Sequence, residues 1–290
     1  MKIAVDHFSI AVHSIDRALE FFSRYFPIEM NAEPQSGYNP EFRWCDFHMG
    51  HAKIELIESA RAGSFVEHFL TKRGEGIHHL SLEVDDLEGV VEPMERDGLR
   101  IVDRFDAGDG HRTAFVSPRS AFGMLVQFWE VPHDPTAGRA RERIVEMPID
   151  GVRLAFDHLS VAVRDLDAGR TFFERYFPLQ NLRDRHVGYA GDFELQQFDI
   201  GDYKMELIAD ASGESFVTRF LARRGEGFHH ISIDVDRIDP VLEKMRSDGV
   251  RIVDEADVGN GYKTAFVSPR FAHGVLIQFW QVPELLAAQD

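Results

Sequence analysis

Eight polar side chains with metal-binding chemistry stand at matching positions in the two halves of this sequence. Each half offers two histidines, one glutamate and one glutamine on strand-like segments: His7, Glu55, His79 and Gln127, then His158, Glu206, His230 and Gln278. Two imidazoles and a carboxylate, with an amide oxygen as a possible fourth donor, suit a divalent cation such as Zn, Ni, Co, Mn or Fe(II). A single histidine on a strand is usually a hydrogen-bonded structural residue, but the recurrence of the whole set predicts a metal centre in each half.

The alternation of side chains along a strand decides which residue of each histidine pair belongs to this set. In "HHLSLEV", His78 shares a face with Leu80 and Leu82, whereas His79 shares the other face with Ser81. A helix must cover the apolar face, so the polar face can line a cavity. The parity therefore predicts His79, and its counterpart His230, as ligands and leaves His78 and His229 with a structural role.

These positions belong to a gapless repeat. The sequence matches itself at a constant offset of 151 residues, with shared blocks such as "RYFP", "RGEG" and "TAFVSPR". A period this long is typical of a duplicated domain rather than a solenoid. We predict two domains, at 1–132 and 154–290, joined by a linker at 133–153 that is rich in charge, proline and glycine.

Each half divides again into two similar patterns. A strand with period-two alternation at 6–12 is followed by a helical pattern at 14–26 and by strands that end at 52–58. The same order begins again at the histidine pair. The sequence thus predicts an α+β fold of tandem duplicated domains, in which each domain pairs two βαβββ modules.

The composition and charge of the chain limit the classes of partner that it can bind. The formal charge of −17, from 49 acidic and 32 basic residues, would repel a phosphate backbone or an anionic membrane. No apolar run is long enough to span a bilayer, and the amino terminus does not resemble a signal peptide. The single cysteine, Cys45, excludes an internal disulfide and suits a reducing compartment. We expect a cytoplasmic protein with a small-molecule substrate, no nucleic-acid or membrane partner, and possible homodimers.

The histidine-centred motifs resemble the vicinal oxygen chelate superfamily, and most closely the methylmalonyl-CoA epimerases, over nearly the whole chain outside the linker. The similarity is carried by "GEGIHHLSLEVDDLEGVVEPMERDGLRIVD" and "FVSPRSAFGMLVQF". The resemblance implies an open, cup-shaped mixed sheet around a metal, with His7, His79, His158 and His230 as ligands. It also implies that Glu55 and Glu206 are ligands, and these two glutamates are the best candidates in this chain for the catalytic carboxylate.

One departure separates this chain from that family. Gln127 and Gln278 stand where these families place a metal-binding glutamate on the last strand, and an amide is a poor proton acceptor. We therefore favour an isomerase, epimerase or glyoxalase-like lyase in which Glu55 or Glu206 moves a proton beside a metal-bound carbonyl.

Two alternatives stay open. The first is an Fe(II)-dependent extradiol or 4-hydroxyphenylpyruvate-type dioxygenase, whose relatives also have two domains, two histidines and a carboxylate. The second is a non-catalytic, ligand-sequestering protein of the bleomycin-resistance kind, although retention of the donors in both halves weighs against it. The sequence does not decide whether the modules pair within a half or across halves.

Further residues are candidates for substrate binding. Arg112 and Lys263 lie in glycine-rich loops, and Arg119 and Arg270 follow a proline, so each could meet an anionic group. Trp129 and Trp280 share the strand face of the glutamines and are candidates for the pocket wall.

Overall fold

A computed structural model describes residues 2–108, 110–137 and 141–286, without the side chain of residue 286. Residues 138–140 of the predicted linker, and residue 109 of the loop before Arg112, lie outside the described residues. Among the described residues, no helix has the length and apolar character needed to cross a membrane.

The first half contains two modules, each with a strand, a helix and three strands. Module one comprises β1 (Ile3–Ala11), α1 (Ile15–Tyr25), β2 (Glu29–Ser36), β3 (Phe42–Met49) and β4 (Ala52–Ser59). Helix α2 (Phe65–Arg73) follows it, and module two comprises β5 (Gly76–Val84), α3 (Leu87–Arg96), β6 (Ile101–Gly108), β7 (His111–Val116) and β8 (Leu125–Glu130).

The second half repeats this order after β9 (Ile144–Glu146). Module three comprises β10 (Arg153–Ala162), α4 (Leu166–Tyr176), β11 (Leu179–Gln180), β12 (His186–Val187), β13 (Phe193–Ile200) and β14 (Tyr203–Asp210). Helix α5 (Phe216–Arg224) precedes module four, with β15 (Gly227–Val235), α6 (Ile238–Ser247), β16 (Ile252–Gly259), β17 (Tyr262–Val267), β18 (Ile277–Gln281) and a short 3-10 helix (Pro283–Leu286).

Each half forms one mixed sheet. The order in the first half is β2-β3-β4-β1-β5-β8-β7-β6, and in the second it is β11-β13-β14-β10-β15-β18-β17-β16, with β12 on β13 and β9 on β10. The first strand of each module runs parallel to its last strand. Within each module, the last three strands in sequence pair antiparallel, each with the next. The predicted α+β fold with a tandem repeat of βαβββ modules is confirmed, and the modules share a sheet within each half.

Helices α2 and α5 are additional to the predicted pattern. Ser64 caps α2 by accepting a hydrogen bond from the backbone N–H of Glu67, and the Glu67 carboxylate accepts one from the backbone N–H of Gly63. Gly74 ends the helix with a positive φ of 75°. Because the helix is only nine residues long, its caps identify it better than its periodicity does.

Close packing divides the chain into two compact units, each of which combines modules from both halves. One unit is built mainly from modules two and three. Within it, the Phe128 ring stacks on Phe177 with centroids 6.0 Å apart, and the Tyr176 hydroxyl donates to Asp97 at 2.6 Å.

The other unit is built mainly from modules one and four. It repeats these contacts at the equivalent positions, with Phe26 stacked on Phe279 at 6.0 Å and the Tyr25 hydroxyl donating to Asp248 at 2.9 Å. Burial, followed by the hydrogen bond to Asp248, raises the pKa of Tyr25 to about 12, so its hydroxyl stays protonated as the donor.

Candidate metal centres

The strand alternation separates a polar face from an apolar one in the first half. On β1, Phe8 and Ile10 are fully buried on one face, while Ser9 lies on the other, directly across from Glu55 of β4. On β5, Ser81 pairs in register with Gln127 of β8. The polar face is itself buried, because Ser9, Ser81, His79 and Gln127 are all below a tenth exposed. Polar groups in such a place need partners or a ligand.

Two groups of three side chains on these faces have the geometry of a cation site. His7, Glu55 and His79 form one group, and His158, Glu206 and His230 form the other. In each group, one potential ligand atom from every side chain lies within 4.8 Å of those from the other two. The structure thus brings together six of the eight predicted ligands as two separate triads.

Outer hydrogen bonds orient the first triad. The Nδ1–H of His7 donates to the carboxylate of Asp6 at 2.7 Å, which leaves Nε2 as the nitrogen with a lone pair to offer. A carboxylate behind a histidine ring is a common arrangement around protein-bound metals. The rings of His7 and His79 approach edge to face, with centroids 5.4 Å apart.

In the second triad, hydrogen bonds from neighbouring strands orient the carboxylate of Glu206. Ser160 Oγ donates to Glu206 Oε1 at 3.1 Å, and Gln197 Nε2 donates to Glu206 Oε2 at 3.0 Å. His158 Nε2 lies 3.3 Å from the same Oε1. Sequence reasoning did not single out Ser160 or Gln197, although both share the strand parity of the ligands.

The donor set fits a divalent cation of intermediate hardness. Both triads offer two imidazole nitrogens and one carboxylate, which are the donors preferred by Zn, Ni, Co, Mn and Fe(II) in proteins. Burial, followed by the charges of Asp46 and Glu55, raises the pKa of the Cys45 thiol to about 12. Cys45 therefore stays protonated and is unsuited to serve as a thiolate ligand.

The glutamines of the last strands occupy a fixed orientation. Gln127 Nε2 donates to Thr113 Oγ1 at 3.1 Å, and Gln278 Nε2 donates to Thr264 Oγ1 at 3.0 Å. The amide nitrogen is thereby engaged, so the carbonyl oxygen is the atom that each glutamine could offer to a cation. Binding of Gln127 and Gln278 to the metal stays a prediction.

The other histidine of each pair faces the helices. His78 packs edge to face on Phe69 of α2, with centroids 4.8 Å apart, and His229 packs on Phe220 of α5 at the same distance. Burial among these rings lowers the pKa of both histidines to about 4, so both are neutral at pH 7. Their positions agree with the parity argument, which assigns the second histidine to the polar face.

The four basic side chains that the sequence predicts to bind substrate do not belong to the triads. Arg112 binds Glu130 at 2.5 Å and Glu88 at 3.1 Å, and Lys263 binds Asp239 at 2.8 Å. These carboxylates already neutralise the two cations, which gives the proposed anion-binding role no support. Arg119 and Arg270 are exposed.

The two tryptophans predicted to contact substrate lie on β8 and β18. Trp129 is half-buried and stacks on His111, with centroids 5.7 Å apart. Trp280 is half-buried at the equivalent position. Both remain candidates for a pocket wall.

The similarity to known proteins repeats once in each half of the chain. The family model described as Glyoxalase/Bleomycin resistance protein/Dioxygenase superfamily matches residues 6–115 and again residues 157–266. The protein YqjC of Bacillus subtilis, described as uncharacterized, is 32% identical over 45% of this chain and 94% of its own length. The mitochondrial methylmalonyl-CoA epimerase of Dictyostelium discoideum is 28% identical over 43% of this chain and 77% of its own.

A likeness over the whole chain exists at the level of fold. A variant of 4-hydroxymandelate synthase from Streptomyces coelicolor superposes with a TM-score of 0.62, covering 97% of this chain and 92% of that one. The sequence identity is 15%, so this likeness describes the tandem architecture alone.

Proposed function

Because the chain belongs to the glyoxalase/bleomycin resistance protein/dioxygenase superfamily, we propose that it is a metal-dependent enzyme that moves a proton beside a substrate carbonyl. The reaction class would be that of an isomerase, an epimerase or a glyoxalase-like lyase. The observation that carries this proposal is the recurrence of a histidine–glutamate–histidine triad in both halves, buried throughout in the second half and half-buried at His7 and Glu55 in the first. A sheet that served only as a scaffold would have no need to bring the same three ionisable groups together twice, with little exposure to water.

His7, Glu55 and His79 would hold one cation, and His158, Glu206 and His230 the other. When bound, such a cation supplies a Lewis acid that lowers the cost of negative charge on a neighbouring substrate oxygen. The second oxygen of the substrate would add a second attachment point, which fixes the orientation of the reacting carbon.

Proton transfer then falls to the carboxylates of this chain. Glu55 and Glu206 are the carboxylates of the two triads, and a well-placed carboxylate contributes about 10²–10⁴-fold to the rate. Gln127 and Gln278 offer no second base, because a carboxamide is not basic enough to accept a proton. A single carboxylate returns its proton to the face from which it took it, which favours transfer between adjacent carbons over inversion at one carbon.

The relatives suggest which substrates to try first. Four mitochondrial methylmalonyl-CoA epimerases and one ethylmalonyl-CoA/methylmalonyl-CoA epimerase match about two fifths of the chain. We therefore propose that acyl-CoA thioesters with a carboxylate or carbonyl near the reacting carbon are the first class to test.

The test is exchange of substrate hydrogen with solvent. Protein loaded in turn with Ni, Co, Mn and Zn would be incubated in deuterium oxide with acyl-CoA thioesters, hemithioacetals and keto sugars, and deuterium at the α-carbon would be measured by mass spectrometry. We expect exchange with at least one metal, and its loss in the Glu55→Gln, Glu206→Gln double variant. No exchange with any substrate class, in protein that contains metal, would refute the proposal.

An Fe(II)-dependent dioxygenase is the second candidate. Two histidines and one carboxylate also form the facial triad of non-haem Fe(II) oxygenases, and each triad here has that composition. Oxygen uptake by the Fe(II)-loaded protein with catechols or keto acids would support this candidate over the first.

A ligand-sequestering protein without catalytic activity is the third candidate. Such a protein has no need of the two triads and would purify nearly free of metal in the absence of chelators. Elemental analysis of protein purified without chelator therefore separates this candidate from the other two.

A further inference from the structure

The two centres have identical ligands but differ at one position beside the carboxylate. Gln197 of β13 lies directly across from Glu206, and Asp46 of β3 lies directly across from Glu55. Directly opposed residues of antiparallel strands present their side chains on the same face. The second half therefore has an amide where the first half has a second carboxylate.

The amide holds the carboxylate in the second half. Gln197 Nε2 donates to one oxygen of Glu206 at 3.0 Å, and Ser160 Oγ donates to the other at 3.1 Å. Both oxygens of the Glu206 carboxylate are thus hydrogen-bonded to neighbouring strands. The residue is buried, with 5% of its surface exposed. Glu206 is fixed before any cation arrives, so little conformational entropy remains to be lost on binding.

In the first half, neither of the two equivalent residues, Ser9 and Asp46, donates a hydrogen bond to Glu55. A carboxylate accepts hydrogen bonds and has none to donate, and Asp46 is itself engaged by Asn31 at 3.0 Å and by Lys53 at 3.1 Å. Ser9, the counterpart of Ser160, is fully buried, and its hydroxyl makes no hydrogen bond among the residues that the structure describes. The ammonium of Lys53 offsets the charge of Asp46, so Asp46 adds little net attraction for a cation.

We infer that Gln197 is a positioning residue that makes the centre of the second half the tighter metal site, and that Asp46 in its place makes the first centre weaker. The inference rests on the proposed function only in that both triads bind a divalent cation. Loss of an outer hydrogen-bond partner costs about 10–100-fold in metal affinity, and we expect a difference of that size between the halves. The halves would then differ in metal occupancy whenever the cation is scarce.

The test uses calorimetric titration of chelator-stripped protein with Zn²⁺ in a non-coordinating buffer. The His158→Ala variant isolates the first centre, and the His7→Ala variant isolates the second. We expect the second centre to bind Zn²⁺ about tenfold or more tightly than the first. Adding Gln197→Met to the His7→Ala protein should weaken binding about tenfold, and adding Asp46→Gln to the His158→Ala protein should tighten it.

Two further variants keep the test sharp. Gln196→Met, on the other face of β13, removes an amide that donates to the backbone oxygen of Arg183 and should leave Zn²⁺ affinity unchanged. If Gln197→Met does not fold, as judged by circular dichroism, Gln197→Asp copies the first half and should weaken binding to the same extent.

The outcomes distinguish this inference from the proposed function. Equal Zn²⁺ affinity of the two centres, or an unchanged second centre in both Gln197 variants, overturns the inference and leaves the proposed function standing. Failure of the unsubstituted chain to bind Zn²⁺, Co²⁺ or Mn²⁺ at either centre overturns both.

Discussion

Replacing His78 and His229 with phenylalanine should make the protein less sensitive to acid. Both rings are held neutral by burial, with a pKa of about 4, whereas an imidazole in an unfolded chain has a pKa near 6.5. Above pH 6.5 the folded and unfolded states bind the same number of protons at these sites. Between pH 6.5 and pH 4, each of these histidines is protonated in the unfolded chain and unprotonated in the folded chain. The free energy of unfolding therefore falls as the pH falls.

The size of the effect follows from the shift. Each histidine lowers the free energy of unfolding by about 1.4 kcal/mol per pH unit within that window, so the two together account for about 5 kcal/mol between pH 7 and pH 4.5. This is an upper figure, because both rings remain partly exposed. Phenylalanine has no proton to bind and suits the neighbouring rings of Phe65 and Phe69.

The assay is urea denaturation of the wild-type chain and the double variant at pH 7.0 and pH 4.5, with a chelator present throughout. We expect the double variant to lose several kcal/mol less stability than the wild type between the two pH values. His186→Gln, at an exposed histidine, serves as the control and should not change the loss. A double variant that loses as much stability as the wild type, to within about 1 kcal/mol, would show that these rings do not face the apolar side.

Three other predictions concern the framework of the site. Gly123→Ala should lower the free energy of unfolding by about 3 kcal/mol or more, because the φ of Gly123 is +77° and a Cβ would overlap the carbonyl oxygen of Glu226. Gly98 has a similar φ of +84° but open space around it, so Gly98→Ala should cost about 1 kcal/mol. Thermal melts of the two variants measure the difference. Cys45 should resist a thiol reagent at pH 8 in the native protein and react promptly in urea, and rapid native labelling would contradict its burial. Arg112→Met should reduce stability by about 1 kcal/mol, less at high salt, and a loss independent of salt would argue against its ion pairs with Glu88 and Glu130.

Much of the candidate site could be predicted from sequence because strand parity is a strong constraint. Shifting a strand by one residue moves every side chain to the other face, so the apolar neighbours of His78 place His79 on the polar face. The gapless repeat supplied a second, independent copy of the same pattern. Together these features predicted the residues of both triads, which the structure brings close to one another.

Other features depend on contacts that periodicity does not encode. The pairing of Arg112 with Glu88 joins a strand to a helix 24 residues away, and no local pattern predicts it. Gln197 and Asp46 differ in type at equivalent positions of the repeat, but the cross-strand register shows that each lies opposite a candidate ligand. The caps at Ser64 and Gly74 were the available signal for α2.

The central claim is that each half of the chain binds one divalent cation through two histidines and a glutamate. Anomalous scattering from crystals grown with Co²⁺ or Zn²⁺ tests it most directly. We predict two peaks, one bounded by His7, Glu55 and His79 and the other by His158, Glu206 and His230, each about 2.0–2.2 Å from its ligand atoms. Well-ordered side chains at both triads with no anomalous density, or peaks confined to other residues, would contradict the claim.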